Sequence, residues 1–181
     1  DIGADAVPAW LNVSRETLQD LQDYCGLIEK WNPRINLISK TNLGDLWTRH
    51  ILDCCQLYTV LRGDLGNAQK WCDFGSGGGL PGLIVAILAK KDRPNWHVTL
   101  VESDRRKAVF LSQVIRQLGL NADVISDRIE ELPSLAADIL SARALAPLDR
   151  LCGYAELHLR MGGTAVFPKG ASADDEVQMA Q

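Results

Sequence analysis

Apolar residues recur at helical spacing early in the chain. Leu18, Leu21, Tyr24, Cys25 and Ile28 fall on one face of a helix, the pattern of an amphipathic segment packed on a core. Ser14 offers an N-cap hydroxyl with Thr17 at the third helical position, so a helix is predicted over about 15–29, with Pro33 as an interruption beyond it. After an irregular Asn36-Leu37-Ile38, a second helix is predicted from about Gly44 to Leu61, turning Leu46, Trp47, Ile51, Cys54, Cys55 and Tyr58 inward. The Gly- and Asp-containing linker Arg62 to Asn67 closes this helical part.

From Lys70 the rhythm changes to strand, glycine turn, helix, strand, helix. Strands are predicted near 70–74, 97–102, 122–126, 138–142 and 163–167, with helices near 80–90, 104–118 and 147–160. Such alternation is the mark of a parallel sheet with helices on both faces, each strand returned by a crossover. The expected fold is α/β, doubly wound and Rossmann-like, with an N-terminal helical cap over 1–66 and an α/β core over 67–181 forming one compact unit. Ala173 to Gln181 reads as the opening of another crossover helix whose closing strand is absent, so the core is expected to lack its last strands.

Length and composition narrow the classes. A chain of 181 residues with 46% hydrophobic and 23% charged residues has the proportions of one soluble globular domain. The longest apolar run, Leu80 to Ala89, is broken by Pro81 and Gly82 and falls short of the ~18 residues a membrane span needs. No basic-then-apolar leader opens the chain, and a cytoplasmic, monomeric protein is expected. The five cysteines (Cys25, Cys54, Cys55, Cys72, Cys152) contain no CxxC pair and the three histidines are far apart, so neither a metal site nor a disulfide framework is expected. The cysteines are read as buried, unpaired thiols. A net charge of −4 argues against wholesale capture of nucleic acid, while leaving room for a local basic face.

The densest signal is Asp73-Phe74-Gly75-Ser76-Gly77-Gly78-Gly79-Leu80-Pro81-Gly82, which holds five of the 15 glycines between a strand and a helix. Glycine admits positive φ and lets a ligand approach bare backbone, so the loop is read as a nucleotide or cofactor site. Gly77-x-Gly79-x-x-Gly82 matches the dinucleotide fingerprint, and Glu102 ends the next strand where a ribose hydroxyl would be held. A phosphate-binding P-loop is excluded by the missing Gly-Lys-Ser/Thr. Between NAD and a methyl donor, the carboxylate of Asp73 would attract the cationic amino-acid part of S-adenosylmethionine and repel a pyrophosphate. The stretch after Lys169 also leaves little room for the substrate domain of an NAD-dependent oxidoreductase.

The ordered set Trp31-Asn32-x-x-Ile35-Asn36-Leu37-Ile38, Arg49-His50-Ile51-Leu52-Asp53, Asp73 to Gly82, Val101-Glu102-Ser103, Arg128-Ile129-Glu130-Glu131, Ser141-Ala142-Arg143-Ala144 and Lys169-Gly170 resembles the bacterial small-subunit ribosomal RNA guanine-N7 methyltransferases, also called glucose-inhibited division protein B, over roughly 15–177. The resemblance implies a class I methyltransferase with S-adenosylmethionine as cofactor. It implies cofactor contacts at Asp73, Gly75, Ser76, Gly77, Gly79, Leu80, Glu102, Ser103, Ile129, Glu130 and Arg143. Substrate positioning is expected of Arg143, His50 and Asp53. The target it implies is a guanine of 16S ribosomal RNA, nucleotide 527 in the usual numbering, met in free RNA or in a small-subunit assembly intermediate. Cys54 stands where a serine is expected, and Phe167-Pro168 where a more aliphatic pair is common.

Guanine N7 carries an available lone pair at neutral pH, so methyl transfer requires no general base. None is assigned. Positioning alone can lower such a barrier by ~7–11 kcal/mol. The missing Asp/Asn-Pro-Pro-Tyr/Phe argues against exocyclic amines as acceptors, and Cys54 and Cys55, outside the sheet, are poorly placed as cytosine nucleophiles. Arg128, Arg143 and Lys169 are the expected RNA contacts, with Arg34, Lys40 and Arg49 as the alternative patch. The rival reading is a noncatalytic RNA-binding or ribosome-assembly factor that keeps the fold without transfer.

Overall fold

The computed structural model describes residues 7–39, 43–143 and 145–168. Ser14 caps helix α1 (Arg15–Ile35), its hydroxyl accepting from the Thr17 amide at 3.2 Å, a cap worth about 1 kcal/mol. The helix runs past its expected end near 29. Pro33 falls in its last turn, where it forfeits a single amide bond. The chain leaves at Asn36, which takes the left-handed conformation (φ 50°) and returns its N–H to the Asn32 carbonyl.

The second cap helix is not wound uniformly as expected. Leu46–Ile51 form a π-helical segment that passes into α2 (Leu52–Leu61), and the Leu52 amide reaches back to the Trp47 carbonyl. Leu46 and Ile51, five residues apart, are both buried. A π turn brings that spacing onto one face.

Five parallel strands come next, in the order β3-β2-β1-β4-β5: β1 (Lys70–Phe74), β2 (His97–Val101), β3 (Ala122–Ile125), β4 (Ala137–Ala142) and β5 (Leu159–Val166). Their crossovers carry α3 (Gly82–Asp92), α4 (Arg105–Leu118), a single 3₁₀ turn (Ile129–Glu131) and α5 (Leu148–His158). β5 opens four residues before the expected 163, with Arg160 paired to Asp138 at the start of β4. This edge strand leaves Met161 fully in solvent.

Period-two alternation divides the core. Trp71, Val98, Leu100 and Ile139 join a cluster with α3, α4 and the cap, while Cys72, Phe74, Val101 and Leu140 pack with Leu151 of α5 on the opposite face. The cap sits on α3 and α4, with Trp31 meeting Phe110 at 5.8 Å between ring centroids. Cys25, Cys54, Cys55 and Cys72 are buried free thiols, as expected, but Cys152 on α5 is exposed. No helix among the described residues is long and apolar enough to cross a membrane.

Candidate cofactor cleft

The strand order reverses between β1 and β4, and in such sheets ligands gather outside the carboxyl ends of the strands at this switch point. The glycine loop leaves β1 there. Gly75 and Ser76 donate to the Val101 carbonyl at 2.9 and 3.2 Å, and Gly79 donates to the Ser76 carbonyl at 2.7 Å. Gly75, Gly77 and Gly79 all have positive φ, which L side chains adopt only under strain.

The carboxylate of Glu102, immediately after β2, fixes this loop from below. Its Oε2 accepts from the Gly77 amide at 2.7 Å and its Oε1 from the Asp104 amide at 2.9 Å. Asp104 in turn caps α4 through the Arg106 and Lys107 amides. One buried carboxylate thus joins the loops after β1 and β2, and each oxygen keeps a further lone pair for a ligand.

Above these loops lies a cleft of about 360 Å³, within the ~300–1,000 Å³ usual for small-molecule sites. Gly75, Gly77, Glu102, Ser103, Ile129 and Glu130 line it as the sequence led us to expect, and Arg128 does so too. A Cβ on Gly77 would meet nothing nearer than the Gly75 carbonyl at 3.8 Å, so bare backbone faces open space. This fits an adenosyl ligand lying against the loop.

Glu130 is held from α5. Arg150 reaches its Oε1 at 2.6 Å and the Tyr154 hydroxyl donates to the same oxygen. These bonds, led by Tyr154, keep the Glu130 carboxyl below its usual range. Arg150, Tyr154 and the overlying Leu145 were missed in the sequence. They lie on or just before a helix whose apolar spacing reads simply as packing.

Five expected cofactor contacts stand elsewhere. Asp73 is fully buried beneath the loop, its Oδ1 accepting from the Ser141 hydroxyl at 2.7 Å. That hydroxyl also accepts from the Trp71 indole at 2.8 Å. Burial pushes the Asp73 carboxyl up to about 6 against the Ser141 bond. A Cβ on Gly82 would come within 2.7 Å of Asp73 Oδ2, so the third fingerprint glycine lets α3 close over this carboxylate. Ser76 turns inward to the Asp73 carbonyl, and Leu80 belongs to the core. Gly79 backs onto α3 and the cap, where a Cβ would strike Leu83 at 2.4 Å and the Tyr24 hydroxyl at 3.0 Å. Tyr24 itself donates to the Gly78 carbonyl at 2.6 Å.

Arg143 is the fifth. Just beyond β4, it turns to the cap, with Nη2 at 2.6 Å from His50 Nδ1 and Nη1 at 3.9 Å from the Cys54 sulfur. Arg143 and His50 meet, whereas Asp53, three residues on from His50, is exposed on the first turn of α2. Burial and the neighbouring guanidinium lower the His50 pKa, and burial lifts the Cys54 thiol to about 12. The imidazole is therefore neutral and the sulfur remains a thiol. Arg143 faces the cap and Arg128 the cleft, so these two members of the expected RNA patch point to different parts of the fold. Lys169, the third member, and Lys40 of the alternative patch lie outside the described residues.

The sequence model of the family described as rRNA small subunit methyltransferase G matches residues 17–181. Ribosomal RNA small subunit methyltransferase G of Ruegeria pomeroyi is 55% identical over 171 residues, covering 94% of this chain and 81% of the relative. The protein of that name from Cereibacter sphaeroides is 46% identical over 177 residues, covering 98% and 84%. Among solved structures, coclaurine N-methyltransferase bound to N-methylheliamine and SAH superposes with a TM-score of 0.56 at 16% identity, over 86% of this chain and 53% of that one. A Corynebacterium glutamicum protein gives 0.57 at 14%, over 93% and 79%. These two likenesses concern the fold alone.

Proposed function

The chain belongs to the rRNA small subunit methyltransferase G family, and from that premise we propose that it methylates N7 of a guanine in small-subunit ribosomal RNA, nucleotide 527 in the usual numbering. The observation that carries the cofactor half of this reading is the Glu102 carboxylate bonded to Gly77 under an open cleft.

S-adenosylmethionine supplies an electrophilic methyl group on a sulfonium centre. The residues that would hold it are Gly75 and Gly77 with bare backbone, Glu102 with its free lone pairs toward the ribose hydroxyls, and Ser103, Ile129 and Glu130 around the remainder. Arg150 and Tyr154 fix Glu130 from α5. Because N7 is nucleophilic without deprotonation, the chain needs to orient the base and exclude competing geometries, which suits a cleft without a base dyad. A guanine in folded RNA must be unpaired or extruded to offer its edge to such a site.

The neutral His50 holds Arg143 at the cap, and together they are the groups assigned to positioning the acceptor. The reading carries a cytoplasmic location, where ribosomal RNA is found, and a monomeric enzyme, which sedimentation would test. The central experiment incubates the protein with S-adenosylmethionine and small-subunit RNA, free or in assembly particles, and maps modified nucleotides by mass spectrometry. A 7-methylguanine at one position is expected. Cofactor binding without methyl transfer to any of these RNAs would favour the noncatalytic rival.

A further inference from the structure

The lysines and arginines of this acidic chain are paired unevenly along the two edges of the sheet. At the amino edge, Lys90 binds Asp20 and the Leu118 carbonyl, Lys91 binds Glu16, Arg62 binds Asp92 and Arg160 binds Asp138. Arg15 and Arg116 are the exceptions there. At the carboxyl edge, Arg106, Arg143 and Arg150 pair with Asp104, His50 and Glu130, but the side chains of Lys30, Arg34, Arg105, Lys107 and Arg128 make no hydrogen bond or ion pair among the described residues.

These five stand along one rim. Leu37, just past the end of α1, packs on Gly78, and Asp104 at the start of α4 bonds Glu102 beneath Gly77, so both helix ends reach the glycine loop. Trp31 and Phe110 join the two helices. One turn from that contact toward the loop lie Arg34 on α1 and Lys107 on α4, because residues three apart share a helix face. Lys107 and Arg128 line the cofactor cleft itself, and Arg105 borders an adjoining groove with Ser126. Carboxylates in the same region are engaged within the fold: Glu102 by loop amides, Asp104 by the α4 cap, and Glu130 by Arg150 and Tyr154.

Arg34 in the last turn of α1 complements the helix dipole, but Arg105 and Lys107 stand in the first turn of α4, where a positive charge opposes it, so helix stability does not account for the group. Five unpaired cations around one cleft form a local field opposite in sign to the chain's net charge of −4. We infer that the rim formed by the end of α1, the start of α4 and Arg128 is the track on which the RNA substrate lays its phosphates while the acceptor base enters the cleft. The inference rests on the RNA methyltransferase reading. It replaces Arg143 as a phosphate contact with residues whose charges are free.

The test measures affinity of the full chain for small-subunit RNA between about 50 and 300 mM salt. Compared with wild type are Lys30→Gln/Arg34→Gln/Arg105→Gln, none of which lines the cleft, and Arg62→Gln/Lys90→Gln/Lys91→Gln on the opposite edge. Titration with S-adenosylhomocysteine reports that each variant is folded. The rim variant is expected to lose roughly 2–2.7 from the slope of log K against log salt, at 0.7–0.9 per phosphate contact, with cofactor affinity unchanged. The opposite-edge variant should keep the wild-type slope. A rim variant with the wild-type slope, or an equal loss from the opposite edge, overturns the inference while leaving methyl transfer by the wild type intact. Wild type that neither binds nor methylates the RNA defeats the underlying reading instead.

Discussion

The Arg143 guanidinium donates to His50 Nδ1 across 2.6 Å, joining the end of β4 to the π-helical part of the cap. Because an arginine has only donors, Nδ1 must be the acceptor and the imidazole proton sits on Nε2, which is buried without a partner. The pair therefore exists only while His50 is neutral.

That condition sets a pH dependence. The folded-state pKa of His50 lies below its ordinary 6.5, so the unfolded chain binds the proton more readily and stability rises with pH across this window. The contribution is complete above about 6.5 and fades as pH falls toward the lowered value. His50→Asn keeps a carbonyl acceptor for Arg143 and cannot titrate. Its thermal midpoint should fall less than that of wild type between pH 8 and pH 5; equal falls would show that His50 is not the titrating group.

Asp73 works with the opposite sign. Its carboxyl is raised from 3.8 to about 6 in the fold, so ionising it costs stability as pH rises through that interval. Relative to Asp73→Asn, wild type should lose about 3 kcal/mol in all as pH rises from well below 3.8 to well above 6, from 1.36 kcal/mol per pKa unit. Denaturant unfolding of both proteins at pH 4 and pH 8 checks this. A constant difference would mean that the carboxyl ionises freely.

Two glycines of the loop should fail in different ways. Gly77→Ala adds a methyl group in open cleft space at φ 55° and is expected to weaken S-adenosylhomocysteine binding by more than about 10-fold with modest loss of stability. Gly79→Ala drives a Cβ against Leu83 and Tyr24 at φ 100°, which should destabilise by about 1–3 kcal/mol. Calorimetric titration and thermal melts of both variants separate the roles; the reverse assignment would contradict a ligand seated against Gly77.

Glu102→Ala removes the acceptor of both loop amides and the group assigned to the ribose. A charge-assisted hydrogen bond contributes ~1.5–3 kcal/mol, so cofactor affinity is expected to fall by ~10–100-fold. Hydrogen exchange should quicken at Gly77 and Asp104. Unchanged affinity would detach Glu102 from the ligand.

The sequence carried those parts of the site that depend on local order. Glycine density between a strand and a helix located the loop, and an acid at the end of the next strand located Glu102. It misplaced Asp73, although Trp71 and Asp73 share a face by the period of two and Gly82 marks a close approach of α3. It could not place Arg143. The choice between cleft and cap is made by the partner at position 50, 93 residues away in the chain. The clasp of Arg150 and Tyr154 on Glu130 depends in the same way on the docking of α5. The π turn escaped notice because apolar spacing resolves a helix but not the loss of register by one residue within it.

The bonds from Glu102 also bear on how fast a ligand is recognised. Since the Gly77 and Asp104 amides are already tethered, the backbone freedom of the glycine loop and of the turn after β2 is surrendered when the protein folds. A glycine loop left loose would have to surrender it on every encounter, at about 1–2 kcal/mol for each residue ordered. Arrival of the ligand then requires no search through loop conformations, and its affinity is spared the corresponding entropy.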